Sequence, residues 1–310
     1  MTAPLIHIGY HKTGTSWLQR ELFPRADLGY RPVSISVADT DFVHVNDLDF
    51  DPARYRADYA PVLAAAAAGG GVPVISHERL SGNPHSGGYD SMRLAQRLHD
   101  VFPDARVMLV IREQRAMILS SYAQYVRVGG GCTLDDYLFP ANATRQPMFS
   151  FDHFKYHRLI ECYRRLFGAD RVLVLPFEQL RADPRGFVRA VAAFSGGRAD
   201  DELPFDRSVN KSLGAVALIA KRRINPFFVR DSVNGNGPFA VPRAGRVANA
   251  VAELVDRAAP RAWDRAVQAR WKARIAEVAA GRYDASNAET AALTRLDLAG
   301  FGYPLGANGA

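Results

Sequence analysis

The stretch that most constrains the fold is residues 5–19, LIHIGYHKTGTSWLQ. Leu5, Ile6 and Ile8 are aliphatic and read as a short buried strand. Residues 9–16 then form a small-residue turn holding Lys12 and the hydroxyls of Thr13, Thr15 and Ser16. Trp17, Leu18 and Leu22 follow at helical spacing. A strand, a Gly/Thr/Ser turn with a lysine and then a helix is a geometry that holds a phosphate. The helix start leaves backbone N–H groups without intrahelical partners and carries partial positive charge. Gly9 and Gly14 let the backbone approach such a ligand closely.

The order of residues separates this turn from a Walker A loop, GxxxxGK[ST], in which the lysine directly follows the second glycine. Here the lysine stands two residues before Gly14, in HKTGTS.

The rest of the chain alternates short apolar runs with helical ones. Val72–Ser76 (VPVIS), Arg106–Ile111 (RVMLVI) and residues 171–175 read as strands. Helices are expected over 59–68, 89–100, 114–127 and 152–167, and from Asp183-Pro184 through Phe194; 246–282 is mostly helical. Residues 30–58 read as loops and short helices, 195–207 as a linker-like loop, and 225–245 as a long surface loop or lid. This alternation predicts a single three-layer α/β domain over 1–310, with a central, mostly parallel, doubly wound sheet flanked by helices. In such sheets ligands bind beyond the carboxyl ends of the strands. The turn at 9–16, the segment 77–79 and Arg112 all stand at strand carboxyl ends, so they meet at one sheet edge.

Charge and composition narrow the function further. A formal charge of +7 suits an anionic ligand or acceptor. The arginines are scattered, and no zinc-finger or RNP-like pattern appears, so nucleic acid is not the expected partner. Cys132 and Cys162 lack metal-ligand spacing. No run of 18 apolar residues marks a transmembrane helix, and no leader pattern precedes the first strand, so a cytoplasmic protein is expected.

The string from Lys12 to Leu18, KTGTSWL, resembles the phosphosulfate-binding loop of sulfotransferases, a strand followed by K-[TS]-G-T-[TS]-[WL]-L. IREQRAMILSSYAQY, with Arg112 closing a strand and Ser120 on the next helix, resembles the segment by which that family grips a nucleotide 3′-phosphate. A guanidinium binds phosphate oxygens bidentately, and a hydroxyl adds a neutral donor. Asn210, Lys211 and Ser212, in SVNKSLG, and the tail at 283–304 resemble segments of bacterial members.

The resemblance implies a sulfotransferase with a P-loop NTPase-like core that uses 3′-phosphoadenosine 5′-phosphosulfate and needs no metal. His11, Lys12, Thr13, Gly14, Thr15, Ser16 and Trp17 would hold the donor's phosphosulfate, Arg112 and Ser120 its 3′-phosphate. Asn210, Lys211 and Ser212 would lie near the 3′-phosphate or adenine. Lys12 would stabilise charge building on the leaving phosphate. Glu78 is the first choice of general base, because several branches of the family place a glutamate after this strand. His77 is its competitor and His11 the third candidate. Arg79 is a weaker candidate for binding the nucleotide or an acidic acceptor. The tail reads as structural. The acceptor is expected to be a carbohydrate or another small hydroxyl compound, and the oligomeric state stays open.

Other readings remain at this stage. Arg112 and Glu78 are also explained as partners in structural ion pairs, and Asn-x-Ser as a helix cap. At the level of function, the alternatives are a non-catalytic anion- or glycan-binding protein on the same fold, or a variant P-loop kinase.

Overall fold

Five short strands make one all-parallel sheet: β1 (Leu5–His7), β2 (Tyr30–Pro32), β3 (Val72–Ser76), β4 (Arg106–Ile111) and β5 (Val172–Pro176). Their spatial order is β2-β3-β1-β4-β5. The computed structural model describes residues 3–33, 39–141, 147–206, 213–228 and 244–306.

The inner strands β3, β1 and β4 are predominantly apolar because both sheet faces are covered, as parallel sheets require. β4 shows how the layers divide. Val107, Leu109 and Ile111 pack with Ile6 and Ile75 on one face, whereas Met108 and Val110 pack with Leu5, Val74 and Leu175 on the other. The first face is closed by the helices Ser91–Val101, Gln114–Arg127 and Tyr156–Phe167, through Leu94, Met117 and Ile160 among others. The second is closed by Leu18 and Leu22 after the first turn and by the helix Pro184–Ser195. This is the three-layer α/β architecture expected from the strand and helix alternation.

From β1 the chain builds β2 and β3 on one side, then crosses to β4 and β5 on the other. The reversal falls at β1, and a crevice opens beyond the carboxyl ends there.

Residues 30–58 are more regular than the sequence suggests. Tyr30–Pro32 is an edge strand on β3, the position at which a sheet tolerates a proline. The helix expected from 59 begins instead at Pro52, because Asp51 accepts from Ala53 N and Arg54 N and Pro52 fits the first helical position. Among the helices not anticipated are Leu134–Leu138, Asp284–Thr294, Phe177–Ala182, directly after β5, and Ala215–Phe228. The last of these takes in the first residues of the expected loop at 225–245, and the helix Ala244–Ala258 takes in its last two. Residues 229–243 lie outside the described residues.

The tail closes the fold. In the helix Asp284–Thr294, Asn287 Oδ1 accepts from Gln114 Nε2 at 2.6 Å, and its Nδ2 donates to Pro304 O at 2.9 Å. Tyr303 OH donates to Glu178 Oε2 at 2.9 Å, and Glu178 Oε1 accepts from Glu113 N at 3.0 Å. Among the described residues, no helix is long and apolar enough to cross a membrane.

Candidate active site

The turn after β1 is held in an unusual backbone shape. Lys12 has φ 68° and Gly14 φ 87°, both in the left-handed region. That region strains a lysine and suits a glycine. Gly14 is needed on a second count: a Cβ there would stand 2.9 Å from Leu180 Cδ2 and 3.3 Å from the Phe177 ring. Thr13 is fully buried, and its Oγ1 donates to Tyr10 O at 2.5 Å, pinning the turn from inside. Helical bonding starts with Trp17 N to Gly14 O at 2.9 Å. The helix Thr15–Trp17 then widens into a π turn, Leu18–Leu22. Trp17 is anchored sideways, stacked on Phe205 with its Nε1 donating to Pro204 O at 3.3 Å.

Arg112 follows β4. Its Nη1 donates to the Lys12 carbonyl at 3.1 Å, and its guanidinium lies over the Phe177 ring, 5.1 Å from the centroid. Tyr156 OH fixes the Arg112 carbonyl at 2.6 Å. Arg112 has no carboxylate partner within ion-pair distance among the described residues, so a structural ion pair does not account for it. Burial lowers its pKa from the ordinary arginine value. Ser120, on the helix Gln114–Arg127, is half-buried.

Beyond β3 the chain turns sharply. His77 Nδ1 accepts from Arg79 N at 3.2 Å and caps the single turn Glu78–Ser81. Arg79 pairs through Nη2 with the buried Asp90 at 2.5 Å. Glu78 makes no ion pair with Arg79 or Arg112.

Lys12, Arg112, Ser120 and Glu78 all line one cavity of about 1310 Å³. His11, Gly14, Thr15, Ser16 and Trp17 line it too. His77 does not, and Thr13 sits behind the wall. Asn210, Lys211 and Ser212 lie outside the described residues.

The electrostatics of this cavity are cationic near the turn. Burial lowers the Lys12 pKa first, Arg127 and Arg112 add to the shift, and Glu78 opposes it. Such a surplus of positive charge in a half-enclosed site favours a multiply charged anion. Among the described residues, two buried polar atoms on lining residues lack partners, Thr15 Oγ1 and His11 Nε2. Burial, then His85, His153, Arg79 and His77, hold the His11 pKa well below its ordinary value, which keeps its imidazole neutral. A hydroxyl, a neutral imidazole, an ammonium and a guanidinium suit the oxygens of a phosphosulfate and a phosphate.

Sequence reasoning missed several lining residues. Phe177, Leu180 and Arg181 come from the short helix after β5, and Gln124 and Arg127 from the end of the helix that carries Ser120. The signal for the first group was present: residues after β5 stand at the same carboxyl edge as the other three segments. Among the described residues, no group of His, Cys, Asp and Glu side chains is arranged to hold a metal ion.

Residues 88–201 match the model of the sulfotransferase family, a span that holds Arg112 and Ser120 but neither Lys12 nor Glu78. No curated protein matches the chain. Among solved structures, the chain is similar to a sulfotransferase from Alicyclobacillus acidocaldarius, with 21% identity, 68% of this chain and 87% of that one covered, and a TM-score of 0.49. The sulfotransferase domain of the Synechococcus PCC 7002 olefin synthase has 15% identity over 82% of this chain and 95% of its own, with a TM-score of 0.37. The sulfotransferase domain of the curacin biosynthetic pathway has 11% identity over 81% of this chain and 97% of its own, with a TM-score of 0.40.

Proposed function

We propose that this chain, whose residues 88–201 belong to the sulfotransferase family, moves a sulfuryl group from 3′-phosphoadenosine 5′-phosphosulfate to a hydroxyl or amine of an acceptor, with carbohydrate as the first class to test. The observation that carries this reading is convergence. Segments after β1, β3 and β4, together with Ser120, bring an ammonium, a carboxylate, a guanidinium and a hydroxyl to the same cavity.

The roles follow from charge and position. The turn around Lys12 receives the phosphosulfate, and Arg112 with Ser120 receives the 3′-phosphate. The acceptor oxygen attacks sulfur in line with the departing phosphate. Its bond to sulfur forms as the sulfur–phosphate oxygen bond breaks, and its proton passes to Glu78. Negative charge grows on the leaving phosphate, where Lys12 stabilises it. The products are the sulfated acceptor and adenosine 3′,5′-bisphosphate. His77, committed to capping the turn, is a poorer base than Glu78. His11 has the exposure to the cavity that His77 lacks.

A kinase reading fits less well, because β4 is followed directly by Arg112 where an acidic metal ligand would be needed. A non-catalytic binder on this fold would bind the bisphosphate and never turn over. The test is thermal stabilisation by adenosine 3′,5′-bisphosphate without magnesium, followed by transfer from labelled donor to a panel of sugars and phenols. Equal stabilisation by ATP would overturn recognition of the 3′-phosphate.

A further inference from the structure

Besides the motif residues, the cavity is lined by Gln124 and Arg127, from the last turns of the Gln114–Arg127 helix, and by Asn249, from the Ala244–Ala258 helix. Behind this wall lies Lys221, on the Ala215–Phe228 helix, with only 1% of its surface exposed. Its Nζ donates to Asn249 Oδ1 at 2.5 Å, and no carboxylate pairs with it among the described residues.

That contact fixes the polarity of the wall. An ammonium has donors only, so the Asn249 oxygen must face it. The amide nitrogen of Asn249 is left over, with no partner among the described residues. Arg127 also makes no ion pair among the described residues. Burial first, and Arg127 second, lower the Lys221 pKa. Arg127 is also among the groups that lower the Lys12 pKa, so its charge is felt at both lysines. A buried ammonium with one neutral partner and a like charge nearby is an unfavourable arrangement unless an anion completes it.

The opposite sign is present on the same helix, in Glu253 one turn further along the cavity wall and in Asp256. Glu253 is exposed, as Arg127 and Asn249 are, and makes no ion pair with the enclosed Lys221. Asp256 is occupied by Gly214 N at 2.6 Å. Neither neutralises Lys221.

We infer that Arg127 and Asn249, backed by Lys221, bind an anionic group carried by the acceptor, a carboxylate or a sulfate, apart from the hydroxyl that is sulfated. The inference rests on the sulfuryl-transfer reading and adds a substrate class to it: acidic acceptors, such as uronic acids or phenolic acids.

The test uses the full chain, the labelled donor and two matched pairs of acceptors. These are 4-nitrophenyl glucoside with 4-nitrophenyl glucuronide, and 4-methylphenol with 4-hydroxyphenylacetate. The acidic member of each productive pair should give at least a tenfold higher kcat/KM. Asn249→Ala and Lys221→Met should each erase that ratio, while the Kd for adenosine 3′,5′-bisphosphate stays within twofold. Equal kcat/KM within the pairs overturns the inference and leaves the sulfuryl-transfer reading standing. An Asn249→Ala loss of bisphosphate affinity as large as its loss toward the acidic acceptor also overturns it, because the subsite then belongs to the donor. No bisphosphate binding, or no transfer to any of the four compounds, overturns the inference together with the reading beneath it.

Discussion

Arg112 donates from Nη1 to the backbone carbonyl of Lys12 at 3.1 Å, across a sequence separation of 100 residues. The guanidinium proposed for one phosphate thereby holds the turn proposed for the other. Arg112→Ala should weaken binding of adenosine 3′,5′-bisphosphate by roughly 1.5–3 kcal/mol, the range for a hydrogen bond to a charged group. Arg112→Lys keeps the charge but loses the fork that reaches Lys12 and lies over the Phe177 ring, so it should recover only part of the affinity. Isothermal titration of the three proteins decides this. Equal affinity of the lysine variant and the parent would show that the charge alone matters.

Lys12 combines strain with charge, and two substitutions separate them. Lys12→Ala should lower kcat by about 10²–10³, the cost of removing one preorganised stabiliser of a developing anion. Lys12→Gly should be as slow, but more stable than the alanine variant by roughly 1–2 kcal/mol, because glycine accepts the left-handed φ of 68° without penalty. Chemical denaturation alongside single-turnover rates gives both quantities. A glycine variant no more stable than the alanine variant would remove the strain argument.

Glu78→Gln keeps shape and removes the base. It should reduce kcat by about 10²–10⁴, with the bisphosphate Kd unmoved. If the glutamine variant retains its rate and His11→Gln loses it, the base is His11.

The strands VPVIS and RVMLVI were legible because burial on both faces leaves mostly apolar side chains in them. β2 was not, because Tyr-Arg-Pro carries no apolar run and is a strand only through pairing with β3. The segments bearing Lys12, Glu78 and Arg112 were legible as a group, since each ends a readable strand. Phe177 was not, although it follows β5, because its use depends on an arginine far away in sequence that lies over its ring. Asn249 was less legible still, since its polarity is set by a buried lysine on another helix.

Acid should unfold the protein through histidines outside the proposed chemistry. Burial holds His7 at about 3 and both His85 and His153 at about 4, against 6.5 in an unfolded chain. The unfolded state therefore takes up protons first as pH falls. Stability is full above about pH 6.5 and is lost as pH drops toward 4 and 3, by about 1.4 kcal/mol per pH unit for each histidine. His153→Phe keeps a ring against Tyr10 and Phe154 and removes one of four such protons, since His11 is held neutral as well. Its denaturation midpoint should fall about one quarter less steeply between pH 6 and 4.5. An unchanged slope would mean that His153 is charged in the folded state.

Asn287 and Gln114 meet across 173 residues, and Tyr303 reaches Glu178, whose other oxygen holds the amide next to Arg112. During synthesis, the wall that carries Arg112 therefore stays unfinished until the helix Asp284–Thr294 and Tyr303 have left the ribosome. A nascent chain halted before that helix would carry every proposed reactive side chain and still lack the frame that aligns them.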